Sequence, residues 1–405
     1  MKQLKAFKFR LDPNQQQKVL INKTLGCCRF LYNQMLSEKQ LKYKTKDKSK
    51  CKTEKEYKSE FSFLKEVDSI ALQQSRIDLK SAYTNFFRKL KSGEIQKEVS
   101  KLLKEAKTPK QKAKALNYGK PSFKSKHNPQ NSYRTLNINN SIRTEDNKIK
   151  LPKLGFVKFK KSREVSGQIN SVTVSKNILG RYYISVLCET EIQKLPERDS
   201  QVGIDLGIKD FCIVSDNTKV SNPKYLKQSE EKLVKAQRKL SNRVKNSKRR
   251  FKQQKLVFKL HEKIRNQRSD FLHKLSTKLV SENQVICLED LKVKNMVKNH
   301  NLAKSISDVS WSKFVEFLKY KCSWYGRTLV QIDKFFPSSK TCSCCGNIKK
   351  DLTLKDREYV CSSCGLVIDR DYNSSLNILR EGLKIISGRD DRDSSVNIQT
   401  LVCSS

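Results

Sequence analysis

The stretch Val202-Gly-Ile-Asp-Leu-Gly207, followed closely by Phe211-Cys-Ile-Val-Ser215, decides the fold of the second half of the chain. Two apolar runs separated by the turn residues Ile208-Lys-Asp210 predict a β-hairpin. Asp205 lies inside the first run, where a carboxylate buried without a partner would cost several kcal/mol. We therefore expect a cation beside Asp205.

Two further carboxylates stand in a similar context. Glu289 ends Gln284-Val-Ile-Cys-Leu-Glu289, a run that predicts a buried strand. Asp371, in Asp369-Arg-Asp-Tyr-Asn373, stands where a helix is predicted to begin, and a helix N-terminus favours an anion. Each acid alone could be an ordinary loop or capping residue, but the three together predict one functional cluster.

Two acids on strands and one at a helix start form the arrangement by which an RNase H-like fold gathers distant carboxylates. Such a cluster binds two hard cations, Mg²⁺ or Mn²⁺, about 4 Å apart, which activate water and stabilise the leaving oxygen in phosphodiester hydrolysis. The cations also allow like charges to lie close together. The sequence therefore predicts a metal-dependent nuclease.

The net charge indicates the class of partner. Lys and Arg total 85 against 41 Asp and Glu, a formal net charge of +44, far more than solubility requires. The basic residues run through the whole chain instead of one amphipathic stretch, which favours nucleic acid over membrane. From Lys235 to Arg265, thirteen Lys or Arg accompany the single acid Glu262. We therefore expect a basic helical hairpin at 225–280 to contact phosphates.

The remaining composition excludes several classes. The four histidines form no His-x-His or His-Glu-x-x-His pair, which argues against nucleases and transposases that depend on paired histidines. The charged start of the chain has no apolar signal core, and no run of 18 apolar residues occurs. We therefore expect a soluble, cytoplasmic protein.

Four cysteines have the spacing of metal ligands. Cys342-x-x-Cys345 and Cys361-x-x-Cys364 form two knuckles, each followed by glycine. This pattern predicts one structural Zn²⁺ held by four thiolates. Cys344 could replace Cys345 as a ligand, and an iron–sulfur or redox site is an open alternative.

The first half of the chain changes character near Tyr118. A strand from Leu4 to Leu11 is predicted first, and Asp12-Pro13 is predicted to supply the N-cap and first-turn proline of a helix. Helices are expected to about residue 90, followed by a charged helical extension at 92–118 that is either a surface insertion or an RNA contact. Short alternating runs from 135 to 195 predict a small β-barrel.

Long stretches of this sequence resemble the TnpB family, the OrfB-type proteins of bacterial insertion sequences. Gly203 to Asp210 is similar to the first RuvC motif of the family, Leu288 to Met296 to the second, and Asp369 to Ile378 to the third. The segment Pro337 to Gly365 is similar to the zinc ribbon inserted before the third motif. In the third motif the second acid is the metal ligand, which here is Asp371.

The resemblance implies a multidomain α+β and α/β fold, in which a wedge-type β-barrel with an inserted helical lobe precedes an RNase H-like (RuvC) nuclease domain carrying a zinc ribbon. The expected boundaries are 1–12 for the first barrel strand, 13–118 for the helical recognition lobe, 119–195 for the wedge barrel, 196–336 for the nuclease, 337–367 for the ribbon, 368–390 for the third motif with its helix, and 391–405 for a tail. The tail lies outside the residues that the structure describes.

The resemblance also implies an activity and its partners. The chain would be an RNA-guided DNA endonuclease of a transposable element, with a guide RNA and double-stranded and single-stranded DNA as partners and no membrane. It would act in the bacterial cytoplasm and lie on the nucleoid when it is bound to DNA. Base pairing would choose the sequence, while the protein reads backbone shape and a short adjacent motif. Three alternatives are a nuclease-inactive RNA-guided repressor, a transposase acting in strand transfer, and a simple zinc-ribbon DNA-binding protein. The last leaves the carboxylates unexplained.

Overall fold

The computed structural model describes residues 2–126, 131–353 and 356–388. The chain divides into two compact units, a first unit from Lys2 to Glu191 and a second unit that begins at Ile192. Within the described ranges, no helix combines the length and apolar character needed to cross a lipid bilayer.

The first unit consists of a sheet and a set of helices inserted after its first strand. Its elements are β1 Lys2–Asp12, α1 Gln15–Thr45, α2 Glu54–Glu60, a 3₁₀ turn Ser62–Glu66, α3 Ser69–Lys91, α4 Glu94–Glu105, α5 Pro109–Leu116, β2 Asn131–Leu136, β3 Arg143–Glu145, β4 Lys148–Leu151, β5 Gly155–Lys160, β6 Gln168–Lys176 and β7 Tyr182–Glu191. The strands pair in the order β2-β6-β7-β1-β5-β4-β3, and all of these pairs are antiparallel. The first strand therefore lies inside a sheet whose other six strands come more than 100 residues later.

The start of α1 differs from the prediction that Asp12-Pro13 caps it. Asp12 still belongs to β1, where it pairs with Lys158 of β5. Asn14 is the cap instead: its side chain accepts a hydrogen bond from the Gln17 backbone N–H at 2.8 Å, and the Gln17 side chain accepts one from the Asn14 N–H at 3.0 Å. This reciprocal capping box satisfies two otherwise unpaired donors, so the helix begins two residues later than predicted.

The second unit is built on a mixed sheet. Its elements are β8 Gln201–Leu206, β9 Asp210–Val214, β10 Lys219–Ser221, α6 Tyr225–Ser241, α7 Lys248–Glu282, β11 Val285–Glu289, α8 Val293–Met296, α9 His300–Val309, α10 Trp311–Tyr325, β12 Thr328–Ile332, β13 Glu358–Val360, β14 Val367–Asp369 and α11 Arg370–Ser387. Five strands pair in the order β10-β9-β8-β11-β12. Strands β8 and β9 form the predicted hairpin, whereas β11 runs parallel to both β8 and β12.

Helices α6 and α7 form the predicted hairpin. They have a small core of their own, made of Leu233, Ala236, Val257 and Ile264. Val244 stands at helical spacing from Leu240, but it does not join this core: α6 ends at Ser241, and Val244 lies in the turn with 76% of its surface exposed. Ser247 caps α7 by accepting from the Arg250 N–H, which ends the turn.

Candidate functional site

The strand register brings Asp205 and Glu289 together. Strands β8 and β11 are parallel, and Ile204 pairs with Leu288. The next residue along each strand is an acid, so Asp205 and Glu289 lie side by side on one face, with their strands roughly 4.8 Å apart. Both strands end here, which opens the carboxylates toward a cleft.

Helix α11 supplies the third acid because two glycines let it lie directly against the sheet. A Cβ on Gly203 of β8 would stand 2.1 Å from the Ser375 carbonyl oxygen of α11. A Cβ on Gly382 of α11 would stand 2.3 Å from the Cys287 sulfur of β11. The helix therefore packs on β8 and β11 at backbone distance, and this docking fixes where its first turn lies.

The two acids at the start of α11 have different surroundings. Asp369 is the N-cap and accepts from the backbone N–H groups of Asp371 and Tyr372, both at 3.0 Å, while Lys219 Nζ lies 2.9 Å from its other oxygen. Asp371 instead lines a cleft of about 440 Å³ together with Asp205 and Glu289. The structure thus brings all three predicted acids to one cleft and leaves Asp369 as a capping residue.

The cleft holds its carboxylates at an electrostatic cost. Burial, together with the charges of Glu289 and Asp371, raises the pKa of Asp205 to about 8, against a smaller lowering by Arg370. Burial also raises the pKa of Glu289, and a hydrogen bond from the Ser338 hydroxyl opposes that rise. A cleft that disfavours its own negative charges is suited to a cation that neutralises them.

Two arginines beside Asp371 were not identified from the sequence. Arg370 donates through Nε and Nη2 to Asp371 Oδ1 at 3.3 and 3.1 Å. Arg357 lies with Nη1 3.9 Å from the other Asp371 oxygen, lines the same cleft and has a side chain that is 58% exposed. The position of Arg370 between two acids was a usable signal, whereas nothing in the local sequence distinguished Arg357.

The four predicted zinc ligands also come together. The sulfur atoms of Cys342, Cys345, Cys361 and Cys364 all lie within 4.8 Å of one another. Two of the separations are 3.6 and 3.5 Å. A tetrahedron with Zn–S bonds of about 2.3 Å has edges of about 3.8 Å, so the cluster fits a structural Zn²⁺. Cys345 belongs to this group, while Cys344 packs against the small core around Tyr359.

The carboxylates are spaced more widely than the thiolates. Among the residues that the structure describes, the four cysteines are the group whose possible ligand atoms all approach within 4.8 Å of one another. Oxygen ligands around a pair of cations span a larger volume than four ligands around one ion. Together, the cleft and the cysteine cluster define a class of protein, an α/β domain with a three-acid cleft and an adjoining cluster of four cysteines.

Comparison with known families is in keeping with this class. Residues 183–300 match a family described as "Probable transposase" of the OrfB type, and residues 311–378 match a Cas12f1-like TNB domain. Residues 1–48 match a domain described as helix-turn-helix. In this chain, residues 2–45 form β1 followed by the single long helix α1.

Full-length relatives identify the family. A Streptomyces pristinaespiralis protein, by name a candidate RNA-guided DNA endonuclease, is 36% identical over 95% of this chain and 90% of its own length. InsQ of Escherichia coli K12, with the same kind of name, is 31% identical over 96% of this chain and 94% of its own. The chain belongs to this family, the TnpB or OrfB-type proteins of insertion sequences.

Solved structures also align along most of the chain. The Cas12f1 complex with its sgRNA and target DNA covers 93% of this chain and 98% of that chain, with a TM-score of 0.48 and 12% sequence identity.

Proposed function

We propose that this chain is an RNA-guided DNA endonuclease of a transposable element, which hydrolyses phosphodiester bonds at the cleft of Asp205, Glu289 and Asp371. The proposal is carried by the convergence of β8, β11 and α11, which gathers three acids from positions 166 residues apart. Family membership and the names of the full-length relatives support RNA guidance and a DNA substrate. The net charge of +44 supports polyanionic partners.

The sheet order supports an RNase H-like (RuvC) assignment for the second unit. The order β10-β9-β8-β11-β12, with a hairpin followed by two parallel strands, puts the acid-bearing strands at the centre. The four-cysteine segment would then be a zinc ribbon, and the seven-stranded sheet with its inserted helices would be the wedge barrel and recognition lobe. In this scheme the domains would keep the boundaries expected from the sequence, and the division of the chain between Glu191 and Ile192 supports the boundary expected at 195–196.

The acids would hold two Mg²⁺ or Mn²⁺ ions, which when bound supply an activated water and stabilise the leaving oxygen. Asp205 and Glu289 are aligned by the sheet, which is rigid, and Asp371 by the first turn of α11. The exposed guanidinium of Arg357 is placed to contact a phosphate oxygen of the substrate at the edge of the cleft. Zn²⁺ would order the ribbon that carries this arginine.

The test starts from the protein purified with its copurifying RNA from cells that express the native locus. That RNA is sequenced, and DNA matching its variable end, flanked by a randomised library, is incubated with the complex and Mg²⁺. We expect cleavage that needs both the RNA and the matching DNA and that is lost in Asp205→Ala, Glu289→Ala and Asp371→Ala, with RNA binding retained.

The same experiment separates the alternatives. Bound RNA without cleavage in any flanking sequence would favour an inactive repressor. Joined DNA ends in place of free ends would favour strand transfer. Full activity in one of the three variants would contradict the role proposed for that acid.

A further inference from the structure

The segment between β12 and Cys342, the first of the clustered cysteines, lines the cleft. The Ser338 hydroxyl donates a hydrogen bond to Glu289 Oε1. Ser338 is only 5% exposed, so water does not compete freely for this bond. The Ser338 hydroxyl therefore orients one oxygen of Glu289, although Ser338 is not one of the three carboxylates of the cleft.

Helix α11 holds Ser338 in this place. The Asn377 side chain donates through Nδ2 to the Ser338 carbonyl oxygen at 2.9 Å and to the Thr341 carbonyl oxygen at 2.6 Å. Asn377 is 1% exposed. A buried amide that satisfies two carbonyls of one turn fixes the backbone of that turn against the helix.

A second amide, one helical turn earlier, extends the contact to the ribbon. Asn373 donates to the Thr341 carbonyl oxygen at 2.7 Å and accepts from the Ser343 backbone N–H at 2.9 Å. Between these two residues lies Cys342, one of the four clustered cysteines. An unbroken series of hydrogen bonds therefore connects Glu289, Ser338, Asn377, Thr341, Asn373 and Ser343.

We infer that Ser338 is a positioning residue for Glu289, and that the Asn373 and Asn377 amides make its position depend on the folded ribbon. The inference rests on the proposed function, since it assigns Glu289 to a cation site. Carboxylates that ligate metals are usually held by such a neighbouring hydrogen bond, and its loss typically reduces cation affinity or activity by about 10-fold to 100-fold. Ordering of the ribbon would thus set the affinity of the cleft for its cations.

A merely structural role for Ser338 makes a different prediction. Loss of one buried hydrogen bond would lower the unfolding temperature but leave the cation concentration for half-saturation unchanged. If Ser338 positions Glu289, its loss raises the cation concentration for half-saturation, whether or not the unfolding temperature changes. The two roles are therefore separated by a binding measurement that does not depend on cleavage.

The experiment uses the full chain with its copurified RNA and compares Ser338→Ala, Ser338→Thr and the control Ser75→Ala. Ser75 is a buried serine in the first unit whose hydroxyl donates to the Ala71 carbonyl of its own helix. The Mn²⁺ concentration that half-saturates the cleft is measured for each variant by titration calorimetry at a fixed temperature, after the heat measured with Asp205→Ala has been subtracted. The unfolding temperature of each variant is measured separately. The Mg²⁺ dependence of DNA cleavage is measured in parallel.

We expect Ser338→Ala to raise both half-saturating concentrations by about 10-fold or more, with most of the cleavage rate recovered at saturating Mg²⁺. Ser338→Thr, which keeps the hydroxyl, should recover part of the affinity, and Ser75→Ala should change only the unfolding temperature. Unchanged half-saturation in Ser338→Ala would overturn the inference.

The dependence on the ribbon is tested by combining Ser338→Ala with Cys345→Ser. If the ribbon acts on the cleft through Ser338, the two changes in half-saturating Mn²⁺ concentration are less than multiplicative. Independent, fully multiplicative effects would overturn the coupling. If wild type binds Mn²⁺ in a Ser338-dependent way but cuts no DNA, the proposed function fails while this inference stands.

Discussion

Arg370 directs two of its nitrogens at the Oδ1 atom of Asp371, its own neighbour in the chain, at 3.1 and 3.3 Å. Its third nitrogen donates to the Thr353 carbonyl oxygen at 3.1 Å, and the side chain is 12% exposed. The guanidinium therefore offsets part of the negative charge of the cleft. It also connects the start of α11 to the segment between the two cysteine pairs.

Replacing this charge should destabilise the metal-free protein most. We expect Arg370→Met to lower the free energy of unfolding by about 1–3 kcal/mol, because the charge-assisted hydrogen bonds to Asp371 and the bond to the Thr353 carbonyl are removed. Added Mg²⁺ should reduce the deficit, since a bound cation replaces the missing positive charge. Thermal unfolding with and without Mg²⁺ measures this, and an equal deficit in both conditions would contradict it.

Neutralising Asp205 should abolish cleavage and raise the stability of the metal-free protein. Asp205 is half-buried beside two other acids, and its carboxylate charge is unfavourable in the metal-free fold. We expect Asp205→Asn to abolish cleavage and to raise the unfolding temperature in Mg²⁺-free buffer at neutral pH. Folding of wild type then requires Asp205 to take up a proton or to keep an unfavourable charge, whereas the isosteric amide requires neither. Glu66→Gln, at an exposed ion pair, is the control and should change neither quantity appreciably. A less stable Asp205→Asn protein would count against the electrostatic cost described above.

The buried lysine of α10 should make stability depend on pH. Lys321 is 5% exposed and donates to the His273 carbonyl and to the hydroxyls of Ser276 and Thr277. Burial lowers the pKa of Lys321 from 10.5 to about 8. Between about pH 8 and pH 10.5 the unfolded chain binds more protons than the folded chain, so the free energy of unfolding rises with pH. Below about pH 8 both states carry the charged ammonium, and the gain in stability that comes from losing this proton is absent.

The variant Lys321→Met removes that dependence. The difference in unfolding free energy between wild type and Lys321→Met should shift in favour of wild type as the pH is raised through this window. Lys319→Met changes an exposed lysine on the same helix and serves as the control. A difference that stays constant with pH would show that the ammonium remains charged in the fold.

Zinc content should distinguish the roles of the neighbouring cysteines Cys344 and Cys345. Cys345 belongs to the four-sulfur group and Cys344 does not. Cys345→Ser should therefore lose most of its zinc and unfold at a lower temperature, whereas Cys344→Ser should retain one zinc per chain. Metal analysis of the purified variants measures both, and zinc loss confined to Cys344→Ser would reverse the ligand assignment.

The basic hairpin should contribute to RNA binding through phosphates. Lys245, Lys248, Arg249 and Lys252 are exposed at its turn. Replacing all four by Gln should weaken RNA binding and make its logarithmic salt dependence shallower, by roughly 0.7–0.9 for each phosphate that the variant no longer neutralises. The matched variant replaces four exposed lysines of α4 and α5, Lys101, Lys104, Lys110 and Lys112. An equal effect in both would assign the charged extension to RNA as well, and an unchanged slope in the hairpin variant would leave its charge unexplained.

Local patterns predicted much of this fold correctly. The hairpin around Asp205, the strand that ends at Glu289 and the helix that begins beside Asp371 are all present. Each depends on a short apolar run or a helix start, where local sequence is informative. The position of the α1 N-cap was predicted wrongly. Asp12 and Asn14 are both common N-cap residues, and Asp12 is unavailable because it pairs with Lys158 in the sheet.

The partners of the acids could not be predicted in the same way. Ser338 and Arg357 contact the cleft only because α11 packs directly on the sheet, through its own Gly382 and through Gly203 of β8. These two glycines are 179 residues apart in the chain. Spacing along the sequence does not encode such packing. Asn373 and Asn377 belong to a stretch that the sequence analysis singled out. Their hydrogen bonds could not be predicted, because the accepting carbonyls lie in a different segment of the chain.

The order of the acids along the chain has a consequence for synthesis. Asp371 follows Glu289 by 82 positions and Asp205 by 166. At about 5–20 residues per second, a ribosome needs roughly 4–16 s to pass from Glu289 to Asp371. During that interval the first unit has already been translated, while the nascent chain still lacks the helix that completes its three-acid cleft. Cutting ability would therefore be acquired last, after the surfaces of the first unit are available to nucleic acid.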